Sequence, residues 1–411
     1  MTMLEMPTMR SADRMTGLPV AIIGAGPVGL AAAAQLLERG VEVVVFEQGE
    51  SAGAAVRQWG HTLLFSEWEY LVDPASLRLL EKGGWTMPSG TPNGHALVEL
   101  YLEPLAAALG DRVHYGTRVS VITRQGMDRT RSTGRAETPF LLRSNGVDVL
   151  ARAVIDASGT YGSANGLVPG VDDLPSEVVH ALPDVLGRDR ALFEGRHTLV
   201  VGAGHSAANT LLALAEVEGT TITWAIRNPT PVRVFTGDDE LAGRASLGAR
   251  VQQLVSEGRI TLIDSFEIDA VSEGPTVDGR RAGQPYTIQP DLIVAATGFR
   301  PDLAMLREIR LSLDDIVEAP VRLAPMIDPN LHSCGTVEPH GVAELAQPER
   351  DFYIAGMKSY GRAPTFLLAT GYEQVRSIAD ELSGNHEAAR LVQLTLPATG
   401  VCSTDSGSCC S

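Results

Sequence analysis

The 411-residue sequence predicts an α/β protein in which one unit of strand, turn, helix and strand occurs twice. Two glycine-rich turns, at residues 24–29 and 202–207, support this prediction, and each follows an apolar run of strand length. Their first glycines are 178 residues apart, so each unit has the size of a domain. The chain length suits two or three domains, and 44% hydrophobic residues suffice for their cores.

In the first unit, residues 19–23 predict a buried strand that ends in the sequence Gly24-Ala25-Gly26-Pro27-Val28-Gly29. Residues 30–39 predict a helix that stops at Gly40, since glycine commonly follows the last helical turn. The β-branched run at residues 41–46 predicts the next strand, which ends at Glu47.

The second unit repeats this order. Residues 197–201 predict a strand, the turn reads Gly202-Ala203-Gly204-His205-Ser206-Ala207, and residues 208–218 predict a helix that stops at Gly219. The strand predicted at residues 220–226 ends at Arg227.

Both units also end alike. Asn145-Gly146 and Asp278-Gly279 are predicted to be hairpin turns in a β-meander. Each meander precedes an apolar strand, and these strands close at Ser158-Gly159 and at Thr297-Gly298. The arginine-bearing stretch at residues 129–135 is expected to be a solvated hairpin in the first meander.

The two turns carry the pattern of dinucleotide-binding sites. The first glycine permits a tight turn, the second lets the backbone approach a pyrophosphate, and the third position lets helix and strand pack closely. The helix N-terminus then offers free N–H groups to the phosphates. Two such turns, each with a distinctive residue 23 or 25 positions after its first glycine, predict two nucleotide sites.

The residue at the end of the second strand distinguishes the two cofactors. Glu47 can accept hydrogen bonds from both ribose hydroxyls, which suits FAD or NAD, and the first site is interpreted as the FAD site. Arg227 has no acidic neighbour at the strand end and can clamp a 2′-phosphate, which favours NADPH at the second.

A strand at residues 351–356 and a helix that opens at Pro364-Thr365-Phe366 are predicted to complete the FAD unit, with the helix N-terminus facing the flavin. The predicted FAD domain is therefore discontinuous, residues 18–188 and 300–390, and residues 189–299 form the inserted NADPH domain. The residues predicted to bind FAD are Gly24, Gly26, Pro27, Val28, Gly29, Glu47, Gln48, Trp59, Val119, Ser158, Gly159, Gly356, Thr365 and Phe366. Those predicted to bind NADPH are Gly202, Gly204, His205, Ser206, Ala207, Arg227, Thr297 and Gly298.

With these motifs, residues 18–390 resemble the flavoproteins with two dinucleotide-binding domains, which include flavin-containing monooxygenases and thioredoxin-reductase-like proteins. Ala52-Gly53 followed by Trp59 is similar to the GGxW stretch of flavin monooxygenases. The resemblance implies a Rossmann-like FAD domain with a three-layer ββα arrangement. A second Rossmann-like domain, which binds NADPH, is inserted into it. Neither domain has a C-x-x-C pair, which argues against a disulfide reductase with its own redox pair there.

Three further stretches resemble the flavin-binding monooxygenases encoded in bacterial arsenic-resistance operons: residues 65–70, 356–366 and 396–403. This resemblance implies that NADPH reduces FAD and that O₂ then forms a C4a-(hydro)peroxyflavin. That species oxygenates a soft nucleophile, such as sulfur, nitrogen or a trivalent arsenical. Such chemistry belongs to the flavin, and the protein orients the reactants and excludes water.

The candidate catalytic residues are Trp59, His61 and Arg362. Trp59 is expected to line the flavin pocket, whereas a surface or packing role is an equal alternative for His61. Arg362 and Lys358 are expected either to hold an anionic substrate or the flavin phosphates, or to lie in a solvated loop.

The net charge of the chain limits the kinds of partner that it is expected to bind. The formal net charge of −17 argues against a surface that binds nucleic acid or anionic membranes. No unbroken apolar run reaches the roughly 18 residues that span a bilayer. The predicted partners are a small-molecule substrate and O₂, the predicted location is the cytoplasm, and a homodimer is a reasonable default.

The four cysteines are placed unevenly. Cys334 shares a loop with His332 and His340 without any zinc spacing, so packing is favoured over a metal site there. Cys402, Cys409 and Cys410 lie in a predicted flexible tail, residues 391–411, where three thiolates could bind a trivalent metalloid. Thiol exchange with a partner and an inert tail are the alternatives.

Three functions follow from these patterns. The first is an NADPH-dependent FAD monooxygenase connected with arsenicals. The second is an NADPH-dependent thiol or metalloid reductase that uses the tail as a mobile thiol arm. The third is a non-enzymatic, metalloid-binding flavoprotein.

Overall fold

The computed structural model describes residues 14–144, 146–171, 174–180, 182–231, 242–328, 338–364 and 366–394. The strands of these ranges are β1 Val20–Ile23, β2 Val43–Phe46, β3 Val113–His114, β4 Val119–Arg124, β5 Phe140–Ser144, β6 Val147–Ala151, β7 Ala153–Asp156, β8 Val178–His180, β9 His197–Val201, β10 Thr221–Ala225, β11 Ile260–Ile263, β12 Phe266–Ser272, β13 Thr276–Arg281, β14 Gln284–Ile288, β15 Leu292–Ala295 and β16 Phe352–Ile354. The α-helices are α1 Pro27–Glu38, α2 Ala54–Gln58, α3 Trp68–Leu71, α4 Pro74–Glu81, α5 Gly94–Leu97, α6 Glu103–Leu109, α7 His205–Leu214, α8 Ala242–Ser256, α9 Ala324–Ile327, α10 Val342–Leu345, α11 Leu368–Leu382 and α12 His386–Arg390.

The first sheet is entirely parallel, in the order β16-β7-β1-β2-β3. β1 is fully buried and β2 nearly so, which explains their continuous apolar sequences, because both faces of a parallel sheet are covered. β16 follows the whole second unit in the chain but pairs with β7, with Tyr353 opposite Ile155. The chain therefore returns to complete the first sheet.

This sheet is the middle of three layers. Val20 and Ile22 of β1 pack into the cluster formed with α1 and α11, whereas Ala21 and Ile23 pack on the antiparallel sheet β4-β5-β6 around Phe140. The alternation follows from the two-residue period of a strand. The predicted ββα arrangement of the first unit is confirmed.

The second unit has the same architecture. Its sheet has the order β11-β10-β9-β15-β8, with α7 and α8 against one face and the antiparallel sheet β12-β13-β14 against the other. β8 pairs in parallel with β15, so this sheet already begins before the predicted boundary at residue 189. The α/β class with two parallel-sheet, Rossmann-like units is confirmed.

Three helices start elsewhere than the sequence predicts. α1 begins at Pro27 and α7 at His205, inside the glycine turns, and proline is well suited to the first helical position. α11 begins at Leu368 rather than at Pro364. The third position of each glycine motif therefore already belongs to a helix.

The predicted hairpin turn at Asp278-Gly279 is wrong, because both residues lie inside β13. The turn falls instead at Ala282 and Gly283, both of which have positive φ angles. A Cβ on Gly279 would lie 2.1 Å from the Glu267 carbonyl oxygen and 3.0 Å from the Phe266 ring. Glycine is needed here for close approach of two strands rather than for a turn.

The expectation of a solvated hairpin at residues 129–135 fails for Arg135. This side chain is buried, and its guanidinium lies 2.8 Å from a carboxylate oxygen of Glu349, which also pairs with the buried Arg124. No helix in the described ranges is both long and apolar enough to cross a membrane.

Candidate functional site

The first glycines of the two turns press against the closing strand of their own unit. Gly24 has a φ of +99°, and a Cβ there would lie 2.8 Å from the Ala157 carbonyl oxygen. Gly202 has a φ of +131°, and its Cβ would lie 2.2 Å from the Ala296 oxygen. Both positions combine a left-handed conformation with a close backbone approach, which only glycine satisfies.

The third motif position brings helix and strand together. A Cβ on Gly29 would lie 2.0 Å from the Gly24 oxygen and 3.5 Å from Ile22 of β1. In the second unit this position holds Ala207, which is fully buried in the core under α7. The second turn therefore has room for one methyl group where the first has none.

The second glycine of each turn faces open space. A Cβ on Gly26 or on Gly204 would meet no atom within 4 Å, although both turns are otherwise tightly enclosed. These residues are the N-caps of α1 and α7, where no side chain caps the helix and no acidic residue occupies the first turn. Each site thus combines an open cradle with an uncompensated helix N-terminus, an arrangement that fits the phosphates of a dinucleotide.

Glu47 ties the first turn to the loop that follows β2. Its side chain is 8% exposed, and its two carboxylate oxygens accept hydrogen bonds from the N–H groups of Ala25, at 2.8 Å, and Gly49, at 2.7 Å. Because each carboxylate oxygen has a further lone pair, the same group can also accept from ribose hydroxyls.

Arg227 occupies the corresponding place after β10 and is exposed. Within the described ranges no carboxylate pairs with its guanidinium. The contrast between Glu47 and Arg227 is the main chemical difference between the two sites, because one favours ribose hydroxyls and the other a phosphate.

A buried ion pair lies at the carboxyl ends of β7 and β16 in the first sheet. Lys358 lies in a 3₁₀ turn, Gly356–Tyr360, and its Nζ is 2.7 Å from Asp156 Oδ2 and 3.0 Å from Ser158 Oγ. The Asp156 Oδ1 atom accepts from the Ser158 hydroxyl at 2.7 Å. The solvated-loop alternative for Lys358 is therefore wrong, because β16 carries this residue into the interior next to β7.

A second buried network holds the same 3₁₀ turn. Gln374 of α11 accepts from the Gly356 N–H at 2.7 Å and donates to Ser359 Oγ at 2.9 Å and to His340 Nε2 at 2.8 Å. The His340 Nδ1 lies 3.0 Å from the Glu338 carbonyl oxygen, which requires a proton on Nδ1 and leaves Nε2 as the acceptor. The neutral imidazole is the form that satisfies both contacts.

This network predicts a pH-dependent stability. Burial lowers the pKa of His340 below its ordinary value of 6.5, so unfolding at acidic pH is accompanied by proton uptake at this side chain. Its contribution to the free energy of unfolding is complete above pH 6.5 and is lost as the pH falls toward the lowered pKa. Urea unfolding of the wild type and of His340→Gln at several pH values should show a smaller acid-side loss in the variant. Parallel pH profiles of the two proteins would contradict this role for His340.

Two of the three predicted catalytic residues, Trp59 and His61, follow a short helix that starts next to the first turn. Gly53 donates its N–H to the Ala25 oxygen at 2.9 Å and starts α2, which ends just before Trp59. The Trp59 ring packs against Gly94, whose Cβ would lie 2.9 Å from it. His61 is half-buried, and burial lowers its pKa while the nearby Asp184 opposes that shift. Trp59 is partly buried, and its role in lining the flavin pocket stays a prediction. His61 lies near the segment that leads to the second unit.

Arg362 belongs to a chain of contacts between the two units. Its Nε donates to Glu318 at 2.5 Å and its Nη1 lies 3.4 Å from Asn165 Oδ1. Asn165 in turn donates from its side chain to the Thr297 oxygen at 3.1 Å and accepts the Thr297 hydroxyl on its own carbonyl at 2.6 Å. Arg362 therefore connects the turn after β16 with the turn after β15.

The second glycine turn also touches the first unit. The rings of His205 and Phe65 lie 5.7 Å apart in an edge-to-face arrangement. His205 begins α7, whereas Phe65 belongs to the loop between α2 and α3. The predicted NADPH turn therefore contacts residues 65–70 of the first unit, one of the three stretches that resemble the arsenic-operon proteins.

The other predicted residues have varied surroundings. Gln48 is exposed after Glu47, whereas Val119 is buried at the start of β4. The Phe366 ring meets Tyr360 edge to face at 5.1 Å. Thr365, His332 and all four cysteines lie outside the described residues. Within those residues no group of three or more His, Cys, Asp and Glu side chains could hold a metal ion.

Three buried polar residues around the turn after β16 were not predicted as site residues. Asp156, Gln374 and His340 carry no local motif, and they come together only through the pairing of β16 with β7 and the packing of α11. The sequence contained one signal for Asp156, because this charged residue directly follows the apolar residues 153–155 of a predicted buried strand.

Known proteins match large parts of this chain. The family model described as pyridine nucleotide-disulphide oxidoreductase matches residues 21–323. A ferredoxin–NADP reductase of Paramagnetospirillum magneticum is 25% identical over 302 residues, which is 71% of this chain and 76% of that protein. A flavin-containing monooxygenase of Aspergillus flavus is 27% identical over 206 residues, and the match spans 46% of this chain and 48% of the monooxygenase.

A solved structure, the bacillithiol disulfide reductase of Bacillus cereus, has the same fold. It superposes with a TM-score of 0.69 and 21% identity over 90% of this chain and 99% of its own. The predicted class of enzyme, a flavin- and pyridine-nucleotide-dependent oxidoreductase, is confirmed, whereas the narrower likeness to arsenic-operon proteins stays a prediction. The chain belongs to the pyridine nucleotide-disulphide oxidoreductase family.

Proposed function

We propose that this protein is an NADPH-dependent FAD monooxygenase that oxygenates a soft nucleophile, with a trivalent arsenical as its substrate. The observation that carries the proposal is the pair of open glycine turns, one bordered by the carboxylate of Glu47 and the other by the guanidinium of Arg227. The sequence of both units contains no cysteine before Cys334, so no dithiol stands between the two nucleotide sites. The narrower substrate class is supported by the resemblance of three stretches and by the three cysteines near the C-terminus.

The residues fit both cofactors. Bound FAD and NADPH would supply hydride transfer and the activation of O₂. In the net reaction NADPH and the substrate each provide two electrons, one oxygen atom goes to the substrate, and the other leaves as water. For methylarsenite, arsenic is oxidised from the trivalent to the pentavalent state.

The chain's own residues bind and orient the reactants. The N-terminus of α1 and the Glu47 carboxylate would hold FAD at the first sheet, and the N-terminus of α7 and Arg227 would hold NADPH at the second. The contact between Phe65 and His205 joins the loop between α2 and α3 to the second glycine turn and would limit the access of water there. Arg362 pairs with Glu318 in this structure, so an anionic substrate would compete with that carboxylate for the guanidinium.

A second function, an NADPH-dependent thiol or metalloid reductase, is supported by a different observation. Three of the four cysteines lie between residues 402 and 410, outside both nucleotide units, where they can serve as an exchangeable thiol arm. The relatives include ferredoxin–NADP reductases as well as monooxygenases, and this range of activities is compatible with both functions.

Anaerobic reduction by NADPH followed by mixing with O₂ separates the candidates. The monooxygenase is expected to bleach the flavin absorbance with NADPH alone and to form methylarsenate from methylarsenite only after O₂ is admitted. NADPH oxidation that needs a disulfide or metalloid and proceeds without O₂ would select the reductase. Failure of NADPH to bleach the flavin would leave only the non-enzymatic, metalloid-binding function.

The role of the cysteines is tested separately. Replacement of Cys402, Cys409 and Cys410 by serine should weaken binding of methylarsenite at least about tenfold, because thiolates are the soft ligands that trivalent arsenic prefers. The rate of flavin reduction by NADPH should not change, since none of the three residues lies in a nucleotide unit. Cys334→Ser is the matched control. Methylarsenite binding that is unchanged in the triple variant would remove the cysteines from the substrate site.

A further inference from the structure

The first glycine of the second turn, Gly202, is held by a tryptophan side chain. Trp224 of β10 is fully buried, and its indole Nε1 donates a hydrogen bond to the Gly202 carbonyl oxygen at 2.7 Å. The N–H of Gly202 donates in turn to the Ala225 oxygen at 3.1 Å. Two neighbouring residues of β10 therefore hold both polar backbone groups of this glycine.

In the first unit, Val45 takes the position of Trp224. The register places Val45 beside Ile22 and Trp224 beside Val200, so each lies next to the residue two positions before the first glycine of its turn. Both side chains pack into the helical layer of their own unit. A valine side chain has no hydrogen-bond donor, so at this position only the second unit can donate to its glycine turn.

The indole bond occurs in the turn whose third motif position differs. In the first turn a Cβ on Gly29 would lie 2.0 Å from the Gly24 oxygen, whereas real Cβ atoms essentially never come closer than 3.0 Å. Ala207 holds this position in the second turn, with its methyl group fully buried. The Gly202 carbonyl must therefore be oriented differently from that of Gly24, and the φ angles of the two glycines, +131° and +99°, also differ.

We propose that Trp224 is a positioning residue of the proposed NADPH site, on which this role depends. Its indole N–H holds the Gly202 carbonyl away from the Ala207 methyl group. Without the N–H, the carbonyl loses this donor, and the turn shifts as the carbonyl and the methyl group approach each other. Because Gly204 is the N-cap of α7, such a shift moves the backbone that receives the pyrophosphate.

A double-mutant cycle between Trp224 and Ala207 tests this role. The measurement is calorimetric titration of the flavin-containing protein with NADP⁺, which binds without reducing the flavin. Trp224→Phe keeps an aromatic ring in the core but removes the N–H, and it should weaken NADP⁺ binding roughly 3- to 10-fold, as for one neutral hydrogen bond. In an Ala207→Gly background, which lacks the methyl group, the same change should weaken NADP⁺ binding by less than about twofold.

Phe193→Leu is the matched control for packing. Phe193 is fully buried in the same core as Trp224, and its side chain has no hydrogen-bond donor. This variant should lower the melting temperature and leave the NADP⁺ affinity within about twofold. Trp224→Met, whose flexible side chain fills the core without an N–H, replaces Trp224→Phe if that variant does not fold. FAD affinity, measured after removal of the flavin, should stay within about twofold in all of these variants.

Four results would overturn the role of Trp224. An equal loss of NADP⁺ affinity in both backgrounds, or a similar loss in Phe193→Leu, would mean that Trp224 acts through packing alone. Unchanged NADP⁺ affinity in Trp224→Phe would mean that the indole bond does not position the turn, and equal weakening of NADP⁺ and FAD would indicate a general loss of structure. A wild-type protein that does not bind NADP⁺ would instead refute the NADPH site itself.

Discussion

Gly26→Ala should weaken FAD binding by roughly tenfold or more while the apo protein keeps its fold. The backbone at Gly26 has φ −81° and ψ −176°, which alanine adopts without strain, and its Cβ would meet no protein atom within 4 Å. The added methyl group therefore enters the space of the pyrophosphate, and overpacking of this kind costs about 1–3 kcal/mol. Thermal unfolding of the apo protein and titration with FAD measure the two effects separately.

Gly204→Ala is the matched variant for the second site. Its backbone, at φ −105° and ψ 178°, also accepts alanine, and the space beside it is equally open. This change should weaken NADPH binding and leave FAD binding intact, whereas Gly26→Ala should do the reverse. A large drop in apo stability in either variant, or unchanged affinity for the corresponding cofactor, would show that the open position is not the phosphate cradle.

Arg227→Ala should lower kcat/KM for NADPH roughly 10- to 100-fold and leave kcat/KM for NADH nearly unchanged. The exposed guanidinium after β10 is placed to pair with the 2′-phosphate, and a hydrogen bond to a charged group contributes about 1.5–3 kcal/mol. Steady-state rates of flavin reduction with each nucleotide measure this preference.

Arg280→Ala serves as the control for net charge. Arg280 is an exposed arginine of the same unit that pairs with Asp269 on the three-stranded layer, away from the nucleotide turn. Its replacement removes the same charge and should leave the ratio of NADPH to NADH activity unchanged. Equal losses with both nucleotides in Arg227→Ala would mean that Arg227 acts on the fold or on hydride transfer and not on the 2′-phosphate.

The sequence was sufficient for the two units and their glycine turns because these features are local. A buried strand, a turn with required φ angles and a helix start are each encoded within a few residues, and their repetition removed the ambiguity of a single motif. The same local reasoning failed at Gly279. An Asp-Gly pair in a hairpin turn and an Asp-Gly pair inside a strand have the same sequence, and only the packing of Gly279 against Phe266 distinguishes the two.

The pairing of Asp156 with Lys358 could not be predicted because the two residues come from distant segments of the chain. Asp156 and Lys358 are separated by 202 residues, and only the return of β16 to β7 brings them within hydrogen-bond distance. The burial of Arg135 could not be predicted for the same reason. This arginine was expected at the surface, but it pairs in the interior with Glu349, which is 214 residues away in the sequence.

The return of the chain to the first sheet also sets the order in which the protein can fold. During synthesis, β1, β2, β3 and β7 emerge before the whole second unit, yet their edge strand β16 and the covering helix α11 arrive only after residue 351. The second unit has all the strands of its sheet by residue 295 and can fold first, whereas the first remains without one edge and part of its helical layer. FAD can therefore be captured only once nearly the entire chain has been made, and fragments that end before β16 should bind it poorly even though they contain both glycine turns.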